Sequence, residues 1–473
     1  MKILLLNPPT YDNKAFIREG RCTHEQGAWA TQWPPITLAT AAAMLEEKGH
    51  DVAILDCPAQ IISVDDLLER TSRGTFDVIA WATGTTSIQS DLALAPAFKK
   101  ISSDVCTAVF GTHVTTLAEK TLRESDGLDC VMRNEPEETL VALVECLRNN
   151  NTIESVKGIS FRDQAGNVVH NSPRGYMPDL DSLPFPAWHL VDLNRYRLPL
   201  IGEKYVILLP VRGCPYACSF CTTGTYYGKK LRRRSVSRMM DEIETIVSRF
   251  GISNFFIWAD TFTADRDYVM RFCEEIGRRN IDMKWTCNSR VDTVDQELLK
   301  AMSRAGCWMI SYGIESGSQK VLDEMKKGIT LNQSEMAVKM AKRAGILVAG
   351  HFVLGFPEGN EDTIKETIKF AMKLNPNVAQ FYCAVPFPGS SLYDEASDKG
   401  WITGKGFEEF SQNNAVMDLP GLSPSVVNRY RKRGYLKFYL SLRRVAGMWK
   451  LMRMGGIRHI ARSGVGFIKW IYS

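Results

Sequence analysis

Arg212-Gly-Cys214-Pro-Tyr-Ala-Cys218-Ser-Phe-Cys221 follows directly on the apolar run Tyr205-Val-Ile-Leu-Leu-Pro210. Three cysteines stand in C-x3-C-x2-C spacing on a loop of eight residues. A strand that ends in three closely spaced thiols is built to hold a soft metal centre. Three ligands are one fewer than a closed tetrahedral site takes. A 4Fe–4S cubane held by three cysteines leaves one iron open to a ligand that is not protein. A zinc site would need a fourth ligand from a distant part of the chain.

Outward from that loop, strand-like runs alternate with helices. The runs are Tyr205–Pro210, Asn254–Trp258, Met283–Cys287, Trp308–Gly313, Val348–Leu354 and Val378–Ala384. Six such units predict a partial parallel barrel, with its site at the carboxyl ends of the strands. After the cysteine loop, those ends read Asp260-Thr-Phe-Thr-Ala-Asp265, Asn288-Ser-Arg290-Val-Asp292, Gly313-Ile-Glu315-Ser-Gly317, Gly355-Phe-Pro-Glu-Gly359 and Pro386-Phe-Pro-Gly389. An internal ion pair is the structural alternative for Glu315 and Arg290, and a helix N-cap that for Asp260.

Upstream, short apolar strands again alternate with amphipathic helices, which predicts a doubly wound parallel sheet. Ligands of such sheets bind at the carboxyl ends. Here these read Asn7-Pro8-Pro9, Thr83-Gly-Thr85-Thr86-Ser87, Gly111-Thr-His113-Val and Arg133-Asn-Glu-Pro136. They are small or polar, so a large ligand can approach the backbone. Residues 153–170 read as a small hairpin. The expected organisation is a Rossmann-like domain over 1–175, a Pro-rich connector over 176–204, a barrel over 205–395 and a C-terminal helical region over 396–473.

The chain has 473 residues, 45% hydrophobic and 23% charged, an ordinary globular composition. Nine of its 12 cysteines lie outside the motif without a disulfide framework, which points to a reducing, cytoplasmic setting. The apolar start is too short for a signal peptide, and no run reaches the roughly 18 residues of a membrane span. Net charge is +5, but residues 429–473 hold 12 Lys and Arg and no Asp or Glu. Tyr435, Phe438, Leu442, Val445, Trp449 and Met452 form one helical stripe there, with Lys437, Arg443, Arg444 and Lys450 elsewhere around it. Such a helix suits the interface of an anionic membrane or a docked position on the barrel. Nucleic acid is disfavoured, because no RNA-binding module accompanies the charge.

The cysteine spacing, with Phe220 before the last Cys, is the signature of radical S-adenosylmethionine (SAM) enzymes. Asn-Pro-Pro, Trp33-Pro-Pro, Glu47-Lys-Gly-His-Asp-Val, Gly111-Thr-His-Val and Asn134-Glu-Pro-Glu-Glu-Thr precede it. Together they make about the first 400 residues resemble the cobalamin (B12)-binding radical SAM family. The resemblance implies a 4Fe–4S cluster on Cys214, Cys218 and Cys221. It implies SAM against Phe220, Asp260, Arg290, Glu315 and Gly355. It implies cobalamin against Pro8, Pro9, Thr85, Thr86, Gly111 and His113. The Asp-x-His-x-x-Gly motif that puts histidine on cobalt is missing, so a cobalt without a histidine ligand is expected. The implied reaction is C-methylation of an apolar or membrane-associated small molecule, lipid-like or porphyrin-like, with electrons from a flavodoxin or ferredoxin; the tail's charge and stripe, not the resemblance, suggest a peripheral membrane contact. Oxidative cyclisation or ring rearrangement is the alternative within the family. Methylthiotransferase-like tRNA modification would need a second cysteine triad and a C-terminal β-barrel, and neither is legible.

Overall fold

The computed structural model describes residues 1–20, 24–25, 32–198 and 201–441. Two sheets organise it. The first holds β1 (Lys2–Asn7), β2 (Asp51–Asp56), β3 (Val78–Ala82), β4 (Cys106–Phe110), β5 (Cys130–Met132), β6 (Ile159–Arg162) and β7 (Val168–His170), in the order β2-β1-β3-β4-β5-β6-β7. The first five are parallel, and the order reverses at β1, which opens a crevice at its carboxyl end. β1 and β3 are buried along almost their whole length, as strands covered by helices on both faces must be. The 153–170 hairpin is not an appendage. β6 pairs antiparallel with β5 and extends the same sheet.

The second sheet runs in chain order: β8 (Val206–Leu208), β9 (Asn254–Ile257), β10 (Lys284–Ser289), β11 (Cys307–Glu315), β12 (Leu347–Leu354) and β13 (Val378–Cys383). All five pairings are parallel. This is the expected partial barrel, and most strands start or end within two residues of the runs read from the sequence. Side chains alternate between a buried outer face under the helices and a half-buried inner face, which carries Phe256, Asn288, Ser311, His351, Gln380 and Tyr382.

Among the described residues no strand lies beyond β13. The helix Pro424–Tyr439 lies there instead. Tyr435 Oη accepts from the Phe381 N–H at 3.0 Å, and Arg431 Nε donates to the Phe381 carbonyl at 3.1 Å. Tyr439 Oη accepts from the Ala379 N–H and donates to its carbonyl, at 3.1 and 2.9 Å. Phe381 packs on Tyr435 and Phe438, with ring centroids 5.4 and 6.3 Å away. So the first two members of the apolar stripe are docked on the barrel and not free for a membrane. Leu442, Val445, Trp449, Met452, Arg443, Arg444 and Lys450 lie outside the described residues. Among the described residues no helix is long and apolar enough to cross a membrane.

Candidate active site between two sheets

The cysteine loop hangs from a short antiparallel pair, in which Arg212 stands opposite Arg232. Gly213 (φ +89°) turns the chain into the loop; a Cβ there would lie 2.3 Å from the Lys230 carbonyl, so only glycine fits. The three thiols are half-buried. Each meets a polar group from a barrel strand end or from the loop's own helix. Thr261 Oγ lies 3.8 Å from Cys214 Sγ. Cys221 Sγ donates to Thr223 Oγ at 3.3 Å, and Thr223 Oγ donates to Asp260 at 3.0 Å. Arg290 Nη1 lies 3.9 Å from Cys218 Sγ. Burial pushes the thiols of Cys214 and Cys218 up, so metal binding there releases protons. Among the described residues no group of His, Cys, Asp and Glu gathers closely enough to hold a single metal ion. Thiolates bound to three separate irons need not gather so closely, so the donor set fits a cluster.

Asp260 is no helix cap; Asp265 takes that role, accepting from the Tyr268 N–H at 3.0 Å. Arg290 and Glu315 each carry an internal ion pair, though not with each other. Arg290 grips Asp292 with both arms at 2.9 Å. Glu315 accepts from Lys327 at 2.7 Å with both side chains buried. Glu315 also sits at φ +64°, where the β11–β12 register shifts. Such strain in a non-glycine residue persists only where surrounding structure holds it. Phe220 stands edge-on to Phe356 at 6.4 Å. Gly355 brings its backbone beside Val427, and a Cβ there would come within 2.8 Å of that side chain. All five residues expected around SAM therefore belong to one rim, and Asp260 and Arg290 also reach the cysteine loop.

At the other sheet, Pro8 and Pro9 are buried after β1. Thr85 Oγ lies 3.3 Å from Nδ1 of His113, whose ring stands edge-on to Phe407 at 4.6 Å. Burial, helped by Lys120, pushes His113 down to about 3, so it is neutral. Gly111 (φ +144°) brings its backbone so near Thr83 that a Cβ would sit 2.0 Å from the Thr83 carbonyl. Thr86 Oγ is buried and finds no partner among the described residues. A cavity of about 790 Å³ opens beside His113, lined also by Ile88, Leu92, Lys120, Phe407 and Phe410; Pro8, Pro9, Thr85, Thr86 and Gly111 are not part of its lining. That volume accommodates a nucleotide-sized group. The orphaned Thr86 hydroxyl and the cavity beside His113 fit cobalamin, whereas Gly111 serves the close packing of the chain on Thr83.

Sequence reasoning missed the group that ties these ends together. Arg18 binds Asp91 through Nη2 at 2.6 Å and through Nε at 3.0 Å, Ser87 at 3.2 Å, and both Asn7 and the Pro8 carbonyl at 2.9 Å. Thr83 and Ser87 complete the ring on Asp91. Arg18 lies on an excursion after β1 without periodicity, so no pattern pointed to it. The inner-wall pair His351 and Tyr382, stacked at 5.8 Å and 3.2 Å apart at Nδ1 and Oη, was also missed. Alternation along β12 and β13 could have revealed it.

A parallel barrel that displays a three-cysteine loop, facing a Rossmann-like sheet with a built crevice, defines a radical SAM enzyme with a cobalamin domain. Residues 208–371 match the radical SAM superfamily model and residues 28–144 that of the B12 binding domain. An uncharacterized methyltransferase of Pyrococcus horikoshii is 32% identical over 440 residues, 93% of each chain. The anaerobic magnesium-protoporphyrin IX monomethyl ester cyclase of Rubrivivax gelatinosus is 27% identical, across 91% of this chain and 77% of that one. TsrM of Kitasatospora setae, a radical SAM methyltransferase solved with cobalamin and a 4Fe–4S cluster bound, shares the fold: TM-score 0.71 at 16% identity, covering 95% of this chain and 90% of that one. The chain belongs to the radical SAM family with an N-terminal B12-binding domain, and its cofactors are a 4Fe–4S cluster, SAM and cobalamin.

Proposed function

We propose that this enzyme transfers a methyl group to an unactivated carbon of a small, largely apolar molecule. The observation that carries this reading is that the two cofactor ends face each other across a short polar seam. Asn134, after β5, donates to the Thr225 carbonyl at 2.8 Å, just beyond the cysteine loop. Thr225 Oγ donates to the Gly389 carbonyl after β13 at 2.8 Å. When bound, the cluster and SAM would supply carbon-radical chemistry, and cobalamin would supply a methyl group. We assign Cys214, Cys218 and Cys221 to the cluster, and Asp260, Arg290 and Glu315 to the orientation of SAM. Asn288, Ser311, His351, Gln380 and Tyr382 on the inner wall include no acid and no Lys or Arg, which suits an uncharged substrate with few hydrogen-bonding groups. Electrons would come from a flavodoxin- or ferredoxin-like donor.

The similarity to the cyclase favours a second reading, oxidative ring closure on a porphyrin-like substrate. One experiment separates them. The anaerobically reconstituted holoprotein is incubated with trideuteromethyl SAM, a reductant, and lipid and pigment extracts. Mass spectrometry should then find a product heavier by one labelled methyl group. A product that has lost hydrogen and gained no label, with 5′-deoxyadenosine formed, would replace methyl transfer by ring closure.

A further inference from the structure

In the Asn134-Glu-Pro-Glu motif, the side chains of Glu135 and Glu137 are buried against the base of the cysteine loop. Arg212 and Arg232 face each other directly across the short strand pair at that base. Two like charges so placed repel unless something counters them. Both counter-charges come from the segment that follows β5 of the cobalamin-binding sheet, Glu135 from the loop and Glu137 from the start of the helix Glu137–Arg148. Glu137 takes Arg212 at 2.5 Å. Glu135 takes Arg232 with both oxygens, at 2.6 and 2.9 Å, and lies 3.6 Å from Arg212. All four residues are at most 7% exposed. Arg232 also donates to the Met177 and Tyr227 carbonyls at 2.8 and 2.7 Å, and the Met177 N–H returns to Glu135 at 3.0 Å. Asn134, at φ +64°, adds its amide contact to the Thr225 carbonyl.

We propose that Asn134, Glu135 and Glu137 are positioning residues that hold the cluster loop in one register against the cobalamin-binding sheet, and so fix the separation of the two cofactors. Buried ion pairs contribute little net stability over apolar packing, but their geometry is specific. A group passed between two cofactors requires fixed spacing: a displacement of about 1 Å between reacting groups can cost on the order of a hundredfold in rate. The clamp has this purpose only if both cofactors bind, as read above.

The test uses holoprotein reconstituted with cluster and hydroxocobalamin, then reduced with dithionite so that cobalt(II) and the reduced cluster are both paramagnetic. Iron and cobalt contents, melting temperature and the microwave power that half-saturates the cobalt(II) EPR signal are compared for the parent, Glu135→Gln and Glu137→Gln. The parent signal should be relaxation-enhanced by the cluster. In the variants, fully loaded with both cofactors, the half-saturation power should fall toward that of protein carrying cobalamin alone. Equal half-saturation power at equal loading, whether or not the melting temperature drops, would reduce the clamp to a structural ion pair and overturn the proposal. If a glutamine variant does not load, Asn134→Gly decides by the same measurement, because it keeps the positive φ and removes only the amide contact. A parent that retains no cobalt would refute the cobalamin reading instead.

Discussion

The guanidinium carbon of Arg290 lies 3.6 Å from the centre of the Tyr216 ring. Tyr216 belongs to the cysteine loop and Arg290 to the end of β10, so a cation–π contact seats the loop on the barrel. The same guanidinium is fixed by Asp292 and donates to the Lys327 carbonyl at 2.7 Å. Replacing Arg290 with Lys keeps the charge and loses the planar fork. Cluster content should stay near the parent's, whereas 5′-deoxyadenosine formation should fall by on the order of a hundredfold. Full activity in the lysine variant would remove Arg290 from the SAM site.

Alanine at Cys214, Cys218 or Cys221 should each abolish 5′-deoxyadenosine formation and most of the iron. Cys287 and Cys307 are buried on barrel strands and Cys273 on the helix Arg266–Arg278. Serine at any of these should leave iron content unchanged, at a stability cost of about 1–3 kcal/mol for a buried hydroxyl. Iron analysis and thermal melts decide both halves.

Thr86→Val exchanges a buried hydroxyl that has no partner among the described residues for a methyl of similar shape. Stability should be unchanged or slightly higher, since an unsatisfied polar group is removed. If Thr86 serves cobalamin, cobalt retained after gel filtration should drop. The cobalt(II) EPR signal of the parent should lack histidine nitrogen splitting, because His113 is turned to Thr85 and covered by Phe407. Nitrogen splitting lost on His113→Ala would show that histidine reaches the metal.

Glu19 gives a pH prediction. Its carboxylate accepts from the N–H and Oγ of Thr37 at the start of the helix Ile36–Glu47, at 3.1 and 2.8 Å. Burial pushes it up to about 7. A carboxyl raised in the folded state favours its protonated form there. Its stabilising share is fully present below about pH 4.5 and is lost as pH rises through about 7. Glu19→Gln should therefore match the parent near pH 5 and exceed it at pH 8, by on the order of 1–2 kcal/mol given the residue's partial exposure. Melts that run parallel across that range would contradict it.

The described part of the C-terminal helix is docked, so a membrane test must spare it. A chain ending at Ser441 should fold and keep its iron, yet lose any sedimentation with anionic liposomes that the full chain shows. Sedimentation unchanged by the truncation would place the anchor elsewhere.

Strand ends were legible because period and punctuation survive in one dimension. Asn7, Thr83, Gly111, Asp260, Arg290 and Glu315 all lie where short apolar runs stop. Partners were not legible where they come from far away in the chain. Glu135 and Arg232 are 97 residues apart, one in the loop after β5 and the other in the short strand pair at the base of the cysteine loop. Arg18 meets Asp91 from an irregular excursion, where neither a 2.0 nor a 3.6 period operates. The helical stripe at Tyr435 and Phe438 was visible as amphipathicity, but periodicity alone does not say what the apolar face covers.

What it covers has a consequence for how the chain behaves in a crowded solution. An unpaired strand edge is a template on which another chain can add, and β13 presents such an edge in the interior of its own protein. Tyr435, Tyr439 and Arg431 occupy its amides and carbonyls with side chains, which cannot propagate a ladder as a seventh strand could. At the end of β13 the Cys383 N–H meets the Gln412 carbonyl at 2.8 Å; elsewhere along the edge these side chains offer no backbone to pair. Chains cut before Pro424 should self-associate through β13, and any fusion or shortened form meant to stay monodisperse has to retain those three side chains.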